Sequence, residues 1–279
     1  MMQAARCYNC DNDESTFYAK ENGYSLVKCA GCGLLYVDDP PSLGELEKAH
    51  SQGQHAGEQL IEATGHYKPF ASKRYIAILR DLFGDGIQGD IAWLDVGCGH
   101  GEFMVALQKF CPRSARIVGS EPNIHKQASA RARGLDVQFV DLDAEDQKFD
   151  YISLLNVYSH LPDPPAFIAK LKLLLKPDGE LILETGDTAD FSADEHYRPF
   201  YLPDHLSFAS EKIIRDILQR LDFEILELRK YPYLRVDAVT FGRELLKFIF
   251  PGYDSSLPDI LRAKDKYPTT DMYIRARKN

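Results

Sequence analysis

Apolar runs with the period of a strand alternate along this chain with stretches that have the spacing of a helix. Ile91–Val96, Ala115–Ser120, Val137–Val140 and Phe149–Leu155 read as short buried strands. Leu173–Thr185 reads as a helix end, a turn at Pro177–Gly179 and a fifth strand. A helix is expected from about Glu102, and the strand–helix alternation implies a parallel sheet with right-handed crossovers. Upstream, Phe70, Tyr75, Ile78, Leu79 and Leu82 have helical spacing, so a helix is expected over Tyr67–Phe83. Ser42 is placed to cap a helix reaching about His50, and Ser51–Gly65 reads as loop or broken helix. Downstream, Gly186–Ser207 is irregular and rich in aromatics, His and Pro. Glu211–Leu221 is an amphipathic helix, Phe223–Tyr231 a sixth strand and Asp271–Arg277 a seventh.

The first strand ends on Asp95 and breaks into Gly97-Cys98-Gly99-His100-Gly101. Such a turn needs positive φ and lets backbone approach a ligand, because glycine carries no Cβ. The free N–H groups of the following helix would lie over the bound molecule. A dinucleotide fingerprint would need its third glycine at position 102, which is Glu102. Glu121 ends the second strand, where a carboxylate can accept two hydrogen bonds from a ribose diol.

The acid-x-G-x-G-x-G pattern resembles motif I of class I S-adenosylmethionine (SAM) dependent methyltransferases. The acid after the second strand, Asp141-Leu142 after the third and Leu175-Lys176-Pro177-x-Gly179-x-Leu181 at the fifth extend the likeness over about Ile91–Thr185. The resemblance implies a Rossmann-like sheet of seven strands, the seventh antiparallel beside the sixth. It implies SAM as cofactor, held by Asp95, Gly97, Cys98, Gly99, Gly101, Glu121, Pro122, Asp141, Leu142 and Asn156, with Asp141-Leu142 edging the adenine. Residues of about 232–270 then form an insertion between the last two strands, with a helix near Glu244–Phe250.

Cysteine usage adds a second module. Cys7-x2-Cys10 and Cys29-x2-Cys32 are two knuckles 18 residues apart, the spacing of a tetrahedral zinc site. Four thiolates would make a closed, structural Zn2+ site, and zinc would stabilise a segment too short for its own core; a two-disulfide module is the rival reading, which would need an oxidising compartment. Tyr24–Tyr36 is the hairpin of this zinc ribbon. The expected organisation is a ribbon over 1–40, a helical linker or cap over 41–85 and a methyltransferase domain over 86–279. Cys98 fits the glycine loop as a small side chain, and Cys111 reads as a helix-end or core residue.

Net charge is -9, which argues against a nucleic-acid partner, since phosphate binding uses clustered Lys and Arg. No stretch has the apolar length of a membrane span, and Met1–Cys7 lacks an apolar leader, so a cytoplasmic location is expected. Nothing in the chain sets an oligomeric state.

Methyl transfer to a hydroxyl benefits from a general base. His160 lies just past the fourth strand, where open α/β sheets bind ligands, although the His-Leu-x-Asp-Pro there resembles an element shared by family members with different acceptors, which favours a loop-supporting or cofactor-pocket role over that of base. His196 and His205 lie in the aromatic segment Glu195–Phe208, a candidate lid, and His205 also stands at the start of a helix-like region. Asp163-Pro164-Pro165-Ala166 is similar to the D-P-P-Y motif of amino methyltransferases but falls too late and lacks the aromatic, so it reads as a helix cap. The leading expectation is methyl transfer to a small molecule such as a sugar, sugar nucleotide or glycan. That acceptor class follows from resemblance to bacterial methyltransferases of glycan and secondary-metabolite pathways, carried by the ribbon, His205-Leu206-Ser207-Phe208 and Asp271–Ala276. The alternatives are an RNA methyltransferase that grips substrate through the ribbon, and a catalytically silent assembly protein.

Overall fold

The computed structural model describes residues 6–84, 86–232, 242, 245, 246, 249 and 269–279. The expected insertion therefore lies almost wholly outside the described residues, as does most of its helix near 244–250.

The N-terminal module is β1 (Ser15–Glu21), β2 (Tyr24–Cys29) and β3 (Leu35–Val37), paired antiparallel. The hairpin over Tyr24–Tyr36 is present, and β1 is a further strand that the exposed polar residues of 15–21 hid from pattern reading.

A connecting segment follows. Helix α1 (Leu43–Gln52) is closed at its start by Ser42 and Glu45 in a reciprocal capping box and at its end by Gly53 at φ 72°. A small hairpin of β4 (Gln54–His55) and β5 (Ile61–Glu62) replaces the expected loop or broken helix. Helix α2 (Ala71–Phe83) starts four residues later than its apolar spacing suggests. Pro69 accounts for the delay, because the residue before a proline is pushed out of the helical region.

The body runs β6 (Ala92–Val96), α3 (Glu102–Phe110), β7 (Arg116–Ser120), α4 (Ile124–Arg131), β8 (Val137–Gln138), β9 (Phe149–Leu155), a 3-10 turn (Tyr158–His160), α5 (Pro164–Leu174) and β10 (Leu175–Gly186). Then come β11 (Ser207–Phe208), α6 (Glu211–Arg220), β12 (Phe223–Tyr231) and β13 (Asp271–Lys278). The seven-stranded sheet has the order β12-β13-β10-β9-β6-β7-β8. Strands β6 to β10 are parallel, and β13 runs antiparallel between β10 and β12. This is the Rossmann-like methyltransferase sheet expected from the sequence. The third strand stops at Gln138, two residues short of the expected Val140.

Both faces of the sheet are buried. Trp93 stacks on Tyr151 at 4.8 Å and is fully buried, as are Ile78 and Leu79 of α2. On the other face Ile213, Ile214, Ile217 and Leu218 of α6 pack into the core. Each such buried aliphatic side chain stabilises the fold by about 1.5–3 kcal/mol. Asp163 caps α5 by accepting from the Ala166 N–H at 3.0 Å, as expected of a helix cap.

One strand joins the ribbon to the body. Ser207–Phe208 is extended, contrary to the helix-like region expected from His205 onward, and β11 pairs antiparallel with β3. Local sequence could not show this, because the pairing spans from Leu35–Tyr36 to Ser207–Phe208.

Candidate active site

The glycine loop is tied to the second strand. The N–H groups of Gly97 and Cys98 both donate to the Ser120 carbonyl, at 2.7 and 3.1 Å. Gly97, Gly99 and Gly101 have φ of 68°, 58° and 91°, a region that disfavours side chains. A Cβ at Gly97 would collide with Val157, and one at Gly101 with Leu135. At Gly99 it would meet nothing within 4 Å. Only the middle glycine therefore faces free space.

Glu121 is buried at the end of β7. Its Oε2 accepts from the Gly99 N–H at 2.8 Å and its Oε1 from the Asn123 N–H at 2.9 Å. Each oxygen keeps a lone pair for a diol. Asp95 is buried and accepts from the Ser153 hydroxyl at 2.5 Å through Oδ1, while its Oδ2 has no partner among the described residues. Burial pushes its carboxyl up to about 7, with the Glu121 charge adding and the Ser153 bond opposing. A buried carboxylate oxygen without a donor suits a cationic ligand, and SAM carries an ammonium and a sulfonium. The open side of Gly99, the free Asp95 oxygen and the Glu121 carboxylate fit SAM.

The other expected cofactor positions lie around the C-terminal ends of the same strands. Asn123, next to Pro122, caps α4 by accepting from the His125 and Lys126 N–H groups, both at 3.0 Å. Asp141 is exposed, and Leu142 packs against the core. Asn156 is exposed just past β9 at φ 56°. Burial pushes the Cys98 thiol up, which leaves it without nucleophilic character. His100, unremarked in the sequence, clamps the connecting segment. Its Nε2–H donates to the Thr64 carbonyl at 2.9 Å, and Nδ1 lies 2.8 Å from the Ser129 hydroxyl.

The expected bases do not share one place. His160 and His205 meet edge to face with ring centroids 4.8 Å apart. The His160 Nδ1–H donates to Asp204, with both Oδ1 and the main-chain carbonyl at 2.9 Å. Burial lowers the His160 pKa, but the Asp204 charge and hydrogen bonds outweigh it, and the net shift is upward. Burial would likewise raise Asp204, yet the charge and hydrogen bond of His160, with help from His55, hold it well below the usual carboxylate range. His205 donates from Nδ1 to the Phe200 carbonyl at 2.8 Å, and burial pushes it down to about 4. His196 stands apart. Its ring is enclosed by Tyr18, Phe191, Phe200 and Phe208, and burial pushes it down to about 4. That surrounding favours packing over proton transfer.

Three residues of this cluster escaped the sequence reading. His55 Nε2 lies 3.0 Å from Asp204 Oδ1, and the His50 ring lies 5.4 Å from His55 and 6.5 Å from His160. His50 and His55 fell in a cap helix and a presumed loop, where no motif marks them. Asp204 was overlooked beside His205.

The sulfurs of Cys7, Cys10, Cys29 and Cys32 lie within 4.8 Å of one another, with Cys7–Cys32 and Cys10–Cys29 at 3.5 Å. They could hold one metal ion. Tyr8, between the first two cysteines, donates to the Ser207 hydroxyl at 2.8 Å and lies 3.1 Å from the Tyr158 hydroxyl.

A family model described as a methyltransferase domain matches residues 67–228, more than half of the chain. The tRNA U34 carboxymethyltransferase of Aliarcobacter butzleri is 25% identical over 203 residues, covering 66% of this chain and 64% of that protein. The ubiquinone biosynthesis O-methyltransferase of Actinobacillus pleuropneumoniae serotype 7 is 34% identical over 106 residues, 33% of this chain and 44% of that protein. The chain thus spans less than two thirds of either relative. Among solved structures, the mycolic acid cyclopropane synthase CmaA1, complexed with SAH and CTAB, shares the fold with a TM-score of 0.53. It is 16% identical, over 73% of this chain and 84% of that one. No helix among the described residues is long and apolar enough to cross a membrane. With its glycine loop, strand order and matched domain, the chain belongs to the class I SAM-dependent methyltransferases.

Proposed function

We propose that this protein transfers the methyl group of SAM to a small-molecule acceptor, a sugar, sugar nucleotide or glycan, with His160 as general base. The observation that carries the base assignment is the Asp204–His160 pair at 2.9 Å. Because Nδ1–H is committed to Asp204, the basic nitrogen is Nε2, which makes no hydrogen bond among the described residues. SAM supplies an electrophilic methyl on a sulfonium centre. Asp95, Gly97, Cys98, Gly99, Gly101, Glu121, Pro122, Asp141, Leu142 and Asn156 form the cradle that orients it. Chain groups then have two tasks: to align the acceptor oxygen in line with that methyl, and to take its proton. His160 Nε2 accepts the proton, and Asp204 balances the imidazolium charge. His205, neutral beside it, shapes the pocket.

The four cysteines in this reading bind one structural Zn2+ as thiolates, a role that suits a reducing, cytoplasmic setting. The acceptor class rests on the sequence resemblance and on the net charge of -9. One finding favours a second reading, transfer to RNA: the relative that aligns with 66% of the chain is named for tRNA.

Labelled methyl from SAM, offered with a cell extract separated into RNA, protein and saccharide or small-molecule pools, tests the acceptor. Label in the saccharide or small-molecule pool is expected. Label in RNA alone would replace the leading reading with the second. His160→Gln should lower kcat by about 10²–10⁴-fold with SAM affinity unchanged.

A further inference from the structure

Helix α1 ends with His50 in its last turn, and Gly53 in the left-handed region reverses the chain so that His55 on β4 returns beside it. The third member is Asp204, brought from the segment before β11. One ligand atom from each of His50, His55 and Asp204 lies within 4.8 Å of the other two, the same limit that the four ribbon sulfurs obey. We propose that His50, His55 and Asp204 form a second metal site, for a divalent transition ion, distinct from the cysteine cluster.

Hydrogen bonding to a lone carboxylate accounts for His55 and His160, both within 3.0 Å of Asp204 Oδ1. It does not account for His50. The His50 Nε2 is buried and has no hydrogen-bond partner among the described residues. A buried imidazole nitrogen left this way loses its water without replacement, and such groups ordinarily have a partner. A metal ion gives His50 Nε2 a partner and at the same time draws on His55 and the carboxylate. The carboxylate has lone pairs enough to keep His160 and still ligate a metal.

The donor set names the class of ion. Two imidazoles and one carboxylate suit Zn2+, Fe2+ or Co2+, whereas Mg2+ and Ca2+ prefer all-oxygen shells. Three protein ligands leave coordination positions open, as in sites where an ion polarises an oxygen. The site adjoins the base proposed for methyl transfer, but ion binding there does not depend on that reading.

Full-length protein loaded with Co2+ and freed of unbound metal separates the two sites, because only the cysteine site gives thiolate-to-cobalt charge transfer. Wild type is expected to retain two equivalents per chain by elemental analysis. His50→Gln and His55→Ala should each retain one, with the charge-transfer band undiminished. His50 makes no hydrogen bond through Nε2, so His50→Gln is the variant that tests binding without disturbing the Asp204 contacts. Wild type holding one equivalent with full charge transfer, or unchanged metal content in both variants, would overturn the proposal. Methyl transfer is read in a separate assay, so its failure would leave the stoichiometry result standing.

Discussion

Tyr8 of the cysteine ribbon and Tyr158 of the turn after β9 meet hydroxyl to hydroxyl at 3.1 Å, across 150 residues of sequence. Tyr8 donates its own hydrogen bond to Ser207 of β11, so one phenol ties the ribbon to the two segments that carry His160 and Asp204. The ribbon is therefore hydrogen-bonded to both segments that carry the His160–Asp204 pair. Its contribution to activity is expected through position, whatever the substrate.

Tyr8→Phe keeps the ring and removes this link. Tyr158 and Ser207 are buried and would lose a partner, which costs about 1–3 kcal/mol. The denaturant midpoint should fall while the metal content of the ribbon is unchanged. An unaltered midpoint would mean that the two hydroxyls find other partners at no cost.

Cys29→Ser should abolish the metal binding proposed for the four cysteines and unsettle β3, whose start follows the second knuckle. Because β3 carries β11, methyl transfer should fall together with the metal content. Elemental analysis and a turnover assay on one preparation check this. Full activity in a metal-free ribbon would show that the body holds β11 unaided.

Gly99→Val and Gly101→Val separate binding from folding. A side chain at Gly99 enters open space, so SAM affinity should be lost, with stability reduced only by the left-handed backbone cost of about 1–2 kcal/mol. A side chain at Gly101 strikes Leu135 and should unfold the protein further. Calorimetric titration with SAM and thermal melts distinguish the two. Normal SAM binding by Gly99→Val would remove the loop from the cofactor site.

Stability should fall between about pH 6.5 and 8. Burial raises the carboxyl of Glu184 to about 8, with the nearby Asp271 charge adding, and that of Asp95 to about 7. Over this interval the folded chain keeps protons that the unfolded chain has already lost near pH 4, so rising pH favours unfolding. Burial holds His50, His196 and His205 near 4, an opposing effect that is half spent at about pH 6.5, where unfolded histidines are half protonated, fades over the next unit and is outweighed by the two carboxyls across the interval. Urea midpoints of ligand-free protein at pH 6.5 and 8 check the slope, and Glu184→Gln should flatten it. A midpoint that rises across the interval would contradict these protonation states.

Much of the sheet was legible in the chain because its signals are local. Strand runs such as Phe149–Leu155, the Gly97–Gly101 turn and the Asp163 cap each record a backbone or burial demand met within a few residues. Strand β1 was missed because it lies at one edge of the ribbon sheet, where solvent-facing side chains erase the apolar alternation.

The sequence by itself determined the α/β body, the glycine turn with its acids at Asp95 and Glu121, and the pairing of knuckles that gathers four cysteines. Tertiary structure alone decided which histidines keep company. It set His196 among aromatic rings, drew His50 and His55 from the connecting segment to Asp204, and laid β11 against β3. The reason is physical. A turn or a helix cap is satisfied by near neighbours in the chain, whereas a buried imidazole takes its role from whichever distant groups the packing brings within hydrogen-bond reach.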